Sequence, residues 1–245
     1  MNRALAGLAL VLALVVPTAC ESTQAKSAAL KAKGGKAINE KGLDVKQRNA
    51  NVQIVGKQIL HDVNGTAVVI VMRSRASTPL RGVPVEIEVT GAGGKTLFKN
   101  DQPGVDKALV GPSILPPGQD FAWVHDQVAI TGKAIAVKAT PGTAQGTVTG
   151  AIPKIELSRP QLHGDQTSGI EATGTVTNAS KIEQQDLVLY CIARKGANIV
   201  AAGRGGIPRL KVGQKRSYHI FFIGDPRGAK LSVEAPPTVL KPGAS

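Results

Sequence analysis

Two cysteines, one tryptophan and an aromatic content of 3% are all that 245 residues hold of the side chains that usually staple or fill small exported domains. Two cysteines cannot build the disulfide framework of a small secreted scaffold. So few aromatics leave the interior to Val, Ile, Leu and Ala, which points to small β modules; a hydrophobic share of 42% is enough for ordinary cores. The scarce charge is the negative one. Seventeen Asp and Glu face thirty Lys and Arg, a formal net charge of +13, spread along the chain rather than gathered in one block. Such basicity fits contact with anionic head groups or wall polyanions. Reaction motifs are missing as well. There is no GxSxG, no P-loop, no GxGxxG opening a helix and no oxygen-rich calcium loop. The four histidines, His61, His125, His163 and His219, have no HxxxH spacing and no neighbouring cysteine. No catalytic residue, metal or cofactor is therefore expected.

No apolar run reaches the roughly 20 residues of a membrane-spanning helix. The longest is ALAGLALVLALVV at 4–16, preceded by Arg3 and followed by Pro17, Thr18, Ala19 and Cys20. A positive charge, a short apolar stretch and small residues before a cut site are the three parts of a secretory signal. With its cysteine, "VVPTAC" resembles the lipobox of bacterial lipoproteins, although Pro17 stands where that family usually has Leu. The resemblance implies a signal peptide over 1–19, cleavage before Cys20 and a diacylglyceryl group on that thiol. Two acyl chains, at about 0.8 kcal/mol per buried CH₂, make a nearly permanent anchor. Residues 20–49 are polar and rich in Ser, Ala, Gly and Lys, and read as a flexible stalk.

Beyond the stalk the chain repeats itself. "MRSRASTPLRGVPVEIEVTGAGGKTLF" (72–98) aligns with "TVTNASKIEQQDLVLYCIARKGANIVA" (175–201), with Ala76 on Ala179 and Ser77 on Ser180. "ILPPGQDFAWVHDQVAI" (114–130) aligns with "RLKVGQKRSYHIFFIGD" (209–225), Gly118-Gln119 meeting Gly213-Gln214, and "KAIAVKATP" (133–141) with "AKLSVEAPP" (229–237). The first copy carries an extra "KNDQPGVDKALVG" (99–111). Order and spacing persist over about 90 residues per copy, so a duplication is expected. "VPVEIEV" places Val83, Val85, Ile87 and Val89 on one face and Glu86 and Glu88 on the other, the period of a half-buried strand. Gly and Pro clusters cut the chain at short intervals, as in an antiparallel sandwich. The fold expected is all-β: two tandem immunoglobulin-like antiparallel β-sandwiches, residues 50–150 and 151–241, with a short tail over 242–245.

Within the second copy, "TNAS" (177–180), "LVLYCIARKG" (187–196) and "LKVGQKRSYHIFF" (210–222) resemble the FxLYD family of bacterial extracytoplasmic domains. Leu189-Tyr190 stands where that family has Leu-Tyr; Leu187, Cys191 and Val212 replace its Phe, Asp and Pro. The resemblance implies an immunoglobulin-like sandwich and no activity, because its landmarks are structural.

The motifs have mechanical readings. Asn178 and Ser180 can bond local backbone groups in a turn. Trp123 and Tyr218 fall on equivalent strands as core fillers. Cys191, in an apolar stretch, is expected buried and inert. His61-Asp62 and His125-Asp126 read as turns with Asp capping local amides, and "GAGG" (91–94) and "GRGG" (203–206) as hairpin turns. The function expected is a non-catalytic lipoprotein held on the extracytoplasmic face of the cell membrane through Cys20. It would bind anionic wall polymer or an envelope protein, with Arg204, Arg209, Lys211, Lys215 and Arg216 as the polyanion contacts at loops. Nucleic acid is not an expected partner of an exported chain. An accessory subunit of a secretion or transport complex is the second reading. An enzyme whose site the sequence hides, around His61, Asp62 or Asp126, is the third.

Overall fold

The computed structural model describes residues 42–165 and 169–241. The expected signal peptide, Cys20, the expected stalk up to residue 41 and the tail over 242–245 lie outside the described residues. Residues 43–49 are part of the predicted stalk, yet they lie on the first sandwich. Arg48 bridges to Gly142, the Asn49 amide donates to Pro141 O at 2.8 Å and Asn49 Nδ2 donates to Gly142 O at 3.2 Å.

The regular structure of the described residues is almost all strand. The first copy contributes β1 (Val52–Asp62), β2 (Gly65–Ser74), β3 (Leu80–Arg81), β4 (Val85–Thr90), β5 (Thr96–Lys99), the one-turn helix α1 (Lys107–Val110), β6 (Ile114–Leu115), β7 (Asp120–His125), β8 (Ala136–Pro141) and β9 (Gly146–Thr147). The second contributes β10 (Ile155–Leu157), β11 (Gln161–Asp165), β12 (Gly169–Asn178), β13 (Gln184–Lys195), β14 (Asn198–Leu210), β15 (Lys215–Phe221), β16 (Ile223–Gly224) and β17 (Lys230–Glu234).

The pairings repeat. β1-β2-β7 in the first copy corresponds to β11-β12-β15 in the second, and β5-β4-β8 corresponds to β14-β13-β17. The long, once-bulged β1 is matched by two pieces, β10 and β11, side by side on β12. Pro160 lies in the gap between them, where it cannot donate to the ladder. The duplication is therefore visible in the topology, but the alignment slips by one residue. The Gly118 amide donates to Ser74 O and the Gly213 amide to Asn178 O, both at 2.9 Å. Ser74 is thus the counterpart of Asn178, not of Thr177. A one-residue slip exchanges the two faces of a strand, which a gapless alignment on Ser77 and Ser180 cannot detect.

No ladder among the described residues joins the two copies, but a core does. β13 reads "LVLYCIA" without alternation because it is buried on both sides. Leu187, Leu189, Cys191 and Ala193 face the second copy's interior with Val176, Leu210, Tyr218 and Ile220. Tyr190 and Ile192 join Val68, Ile70, Trp123 and Ile87 of the first. β2, "TAVVIVM", is buried at every position from Thr66 to Met72. The four main sheets stack as layers, with β1-β2-β7 and the β13-β14 sheet as the two inner ones. A strand covered on both faces reads as a continuous apolar run.

The "GAGG" segment makes the β4–β5 turn, Gly91 N donating to Lys95 O at 2.8 Å. "GRGG" does not make a turn. It lies inside β14, where β15 crosses closely: a Cβ on Gly203 would sit 2.0 Å from Phe221 O, and one on Gly205 2.8 Å from Ile220 Cγ1. These glycines serve close backbone approach.

Candidate functional site

One end of the second module gathers positive charge, and a buried amide builds it. Asn178 is fully buried. Its Nδ2 donates to Ile182 O at 2.8 Å and Leu210 O at 3.0 Å. Its Oδ1 accepts from the Ser180 amide at 3.1 Å and Ser180 Oγ at 2.7 Å, and its carbonyl accepts from Gly213 N at 2.9 Å. Next to it the Ala179 amide donates to Lys154 O at 3.0 Å. The residue before β10, the β12–β13 loop and the turn from β14 into β15 are thereby tied together. They carry Lys154, Lys181, Arg209, Lys211, Lys215 and Arg216.

Two of these cations are already paired: Arg209 lies on Glu183 through Nε at 2.7 Å and Nη2 at 3.1 Å, and Lys154 on Glu156 at 2.5 Å. Lys181, Lys211, Lys215 and Arg216 are exposed, and no carboxylate pairs with them among the described residues. Arg216 Nη1 donates to Arg209 O at 3.2 Å, which fixes the guanidinium beside the β14–β15 turn. Of the five expected polyanion contacts, Lys211, Lys215 and Arg216 stand together and open. Arg209 is neutralised. Lys181 belongs with the set: its neighbour Glu183, two positions on, is taken by Arg209, which the sequence does not reveal.

Arg204 departs from the set. It sits mid-strand in β14 and its Nε donates to Asp126 Oδ1 at 2.9 Å, with only 11% and 21% of the two side chains exposed. A strand interior facing the other module, not a loop, is its place. Asp126 accordingly closes a partly buried ion pair between the modules and caps no turn. Asp62 does cap locally, accepting from Asn64 N at 2.7 Å; its other oxygen accepts from Gly224 N of the second module at 2.8 Å. His61 Nδ1 lies 2.7 Å from Thr66 Oγ1. The His-Asp pairs are thus divided among separate structural partners and do not converge. Among the described residues no group of three or more His, Cys, Asp and Glu could hold a metal ion.

His125 lies in the first core, edge-on to Phe98 and Trp123. Neither ring nitrogen has a hydrogen-bond partner. Burial foremost, with the charge of Arg204 nearby, lowers its pKa to about 4. Trp123 is also wholly buried, and its Nε1 donates to Ala108 O at 2.7 Å, so the extra segment 99–111 of the first copy caps the tryptophan. Asn100 holds that segment down, donating to Val85 O and Leu109 O and accepting from Ile87 N; a lone Asn in a loop gives no sign of this. Tyr218 is buried like Trp123, so neither ring is open to a glycan. Cys191 is buried and free, and burial pushes its thiol up to about 12, which leaves no thiolate for chemistry.

A second concavity, of about 940 Å³, opens between the modules. Val83, Pro84 and α1 form one wall and Leu187, Val188, Tyr190 and Ile207 the other. Its charged lining is mixed: Arg81 and Lys107 with Asp106 and Asp186. It offers no excess of either sign, whereas the end tied by Asn178 does. No family model matches this chain, and no curated protein matches it.

Proposed function

We propose that this chain is a non-catalytic, lipid-anchored binding protein of the cell envelope, tethered through Cys20, whose second module engages an anionic wall polymer. The carrying observation is the Asn178 knot, which presents Lys181, Lys211, Lys215 and Arg216 on one end of a rigid module. A linear polyanion is met by a row of separate, solvated cations rather than by a pocket, and the affinity comes from summed charge. The lipobox-like "VVPTAC" and the FxLYD-like "LVLYCIARKG" support an extracytoplasmic, immunoglobulin-like reading of the same modules.

Two measurements test it. Intact mass of the protein recovered from membranes should show a diacylglycerol adduct on a chain beginning at Cys20; a soluble product cut elsewhere removes the anchor. Purified anionic wall polymer should bind the protein at low salt and release it near 1 M salt, where the screening length falls to about 3 Å. Replacing Lys211, Lys215 and Arg216 together with Ser should abolish that binding, whereas Arg209→Ser should change it little. Absence of binding at low salt rules out the polymer.

A further inference from the structure

One side of the first module's sandwich is closed at one end, where Arg48 and Asn49 meet Gly142 and Pro141, and open at the other. β1 is the edge of one of its sheets and β8 the edge of the other, and a cleft of about 830 Å³ lies between them. Directly opposed residues of an antiparallel pair share a face. Lys57 is opposite Ile70, Ile59 opposite Val68 and His61 opposite Thr66. Val68 and Ile70 are in turn opposite His125 and Trp123, and His125 meets Phe98 of the facing sheet. Lys57, Ile59 and His61 therefore lie on the face of β1 that looks toward the other sheet. The opposite wall is the segment 130–137, which brings Ile130, Lys133 and Ile135.

The lining has one sign of charge. Its titratable groups are Lys57, Lys133 and His61, with no carboxylate among them. Its apolar part is continuous with the interior: Ile59, Ile130 and Ala134 pack on the first core, while Ile135 stays 62% exposed. A wall polyanion would leave that apolar surface uncovered. A neutral ligand would leave the two ammonium groups unused. We propose that this cleft binds a single-chain anionic amphiphile, a long-chain carboxylate, with its chain between β1 and β8 and its head group on Lys57 and Lys133. The volume is in the usual range for a small-molecule site. The inference is independent of the polymer reading, because it uses other residues on the other module.

The test uses the full chain carrying Cys20→Ser, titrated calorimetrically with decanoate and dodecanoate below their micelle concentrations. Saturable one-to-one binding is expected. Each buried methylene is worth about fourfold in affinity, so dodecanoate should bind about fifteenfold more tightly than decanoate. Lys57→Gln with Lys133→Gln should weaken dodecanoate about tenfold, as expected for two solvent-exposed ion pairs, and leave an uncharged dodecyl glycoside unaffected. Ile135→Asp should weaken both. The triple Ser variant at Lys211, Lys215 and Arg216 should bind dodecanoate like the parent. No saturable binding overturns the proposal, and so does affinity that ignores chain length or survives the double lysine change. Loss of dodecanoate binding in the triple Ser variant would also overturn it, by moving the carboxylate to the other module.

Discussion

Two side chains make stability depend on acidity in opposite senses. His125 is buried with both ring nitrogens unpartnered and titrates near 4 when folded, against about 6.5 in the unfolded chain. Below pH 6.5 the unfolded state takes up the proton first, so stability is lost as pH falls from about 6.5 to 4, by about 3 kcal/mol in all. Glu234 has no cation pairing with it among the described residues, and burial pushes its carboxyl up to about 7. There the folded state holds the proton longer, so stability is lost as pH rises from about 4.5 to 7, by a somewhat smaller amount given its partial exposure. Between about pH 4.5 and 6.5 the two nearly cancel. Urea midpoints of the parent should stay nearly flat over that window. Those of Glu234→Gln should fall toward acid, and those of His125→Phe should fall toward neutrality. Buried amides act at the same scale. Asn178→Ala would take the side-chain acceptor from the Ser180 amide and a donor from the Leu210 carbonyl, while the Ile182 carbonyl keeps Ser180 Oγ and Gln184 Nε2; at about 1–3 kcal/mol per buried group, the change should loosen the basic end. Hydrogen exchange at the Ser180 and Gly213 amides should quicken in that variant before global unfolding.

Glycines within β14 give the clearest prediction for an element. Gly203→Ala would drive a methyl to 2.0 Å from Phe221 O, so backbone must move, at about 3 kcal/mol. Farther along the same strand, nothing lies within 4 Å of a Cβ placed on Gly206. Gly206→Ala should accordingly be neutral or slightly stabilising, and thermal melts of the two variants side by side check the contrast. The same strand shows what pattern alone leaves hidden. "VPVEIEV" alternates, so its buried face is legible directly. "GRGG" looks like a turn because glycine permits turns, and only the crossing of β15 shows why it is needed in a strand. "AVVIVM" and "LVLYCIA" are readable as strands, and their lack of alternation is the sign that each faces two cores. Lys211, Lys215 and Arg216 are legible as loop cations. Arg204 is not legible as a core residue, because its partner Asp126 lies 78 positions away.

At the scale of the whole molecule, the shared core decides how the protein unfolds. Tyr190 and Ile192 of the second module belong to the cluster built on β2 and β7 of the first, Asp62 of the first accepts from Gly224 of the second, and the partly buried pair Arg204–Asp126 joins them. Neither module can lose its structure without exposing apolar surface on the other, so the two should melt together. The chain supplies its own probes: its one tryptophan, Trp123, is in the first module and its two tyrosines, Tyr190 and Tyr218, are in the second. Denaturation followed by tryptophan fluorescence and by the near-ultraviolet tyrosine signal should give one midpoint. Asp126→Ala leaves the partly buried Arg204 without its partner, at about 1–3 kcal/mol, and should lower both midpoints together. Adding Arg204→Met, which removes the stranded charge, should restore much of the loss in both signals. Two separate midpoints in the parent, or a shift confined to the tryptophan signal in Asp126→Ala, would show that the interface transmits nothing and that the modules are stable singly.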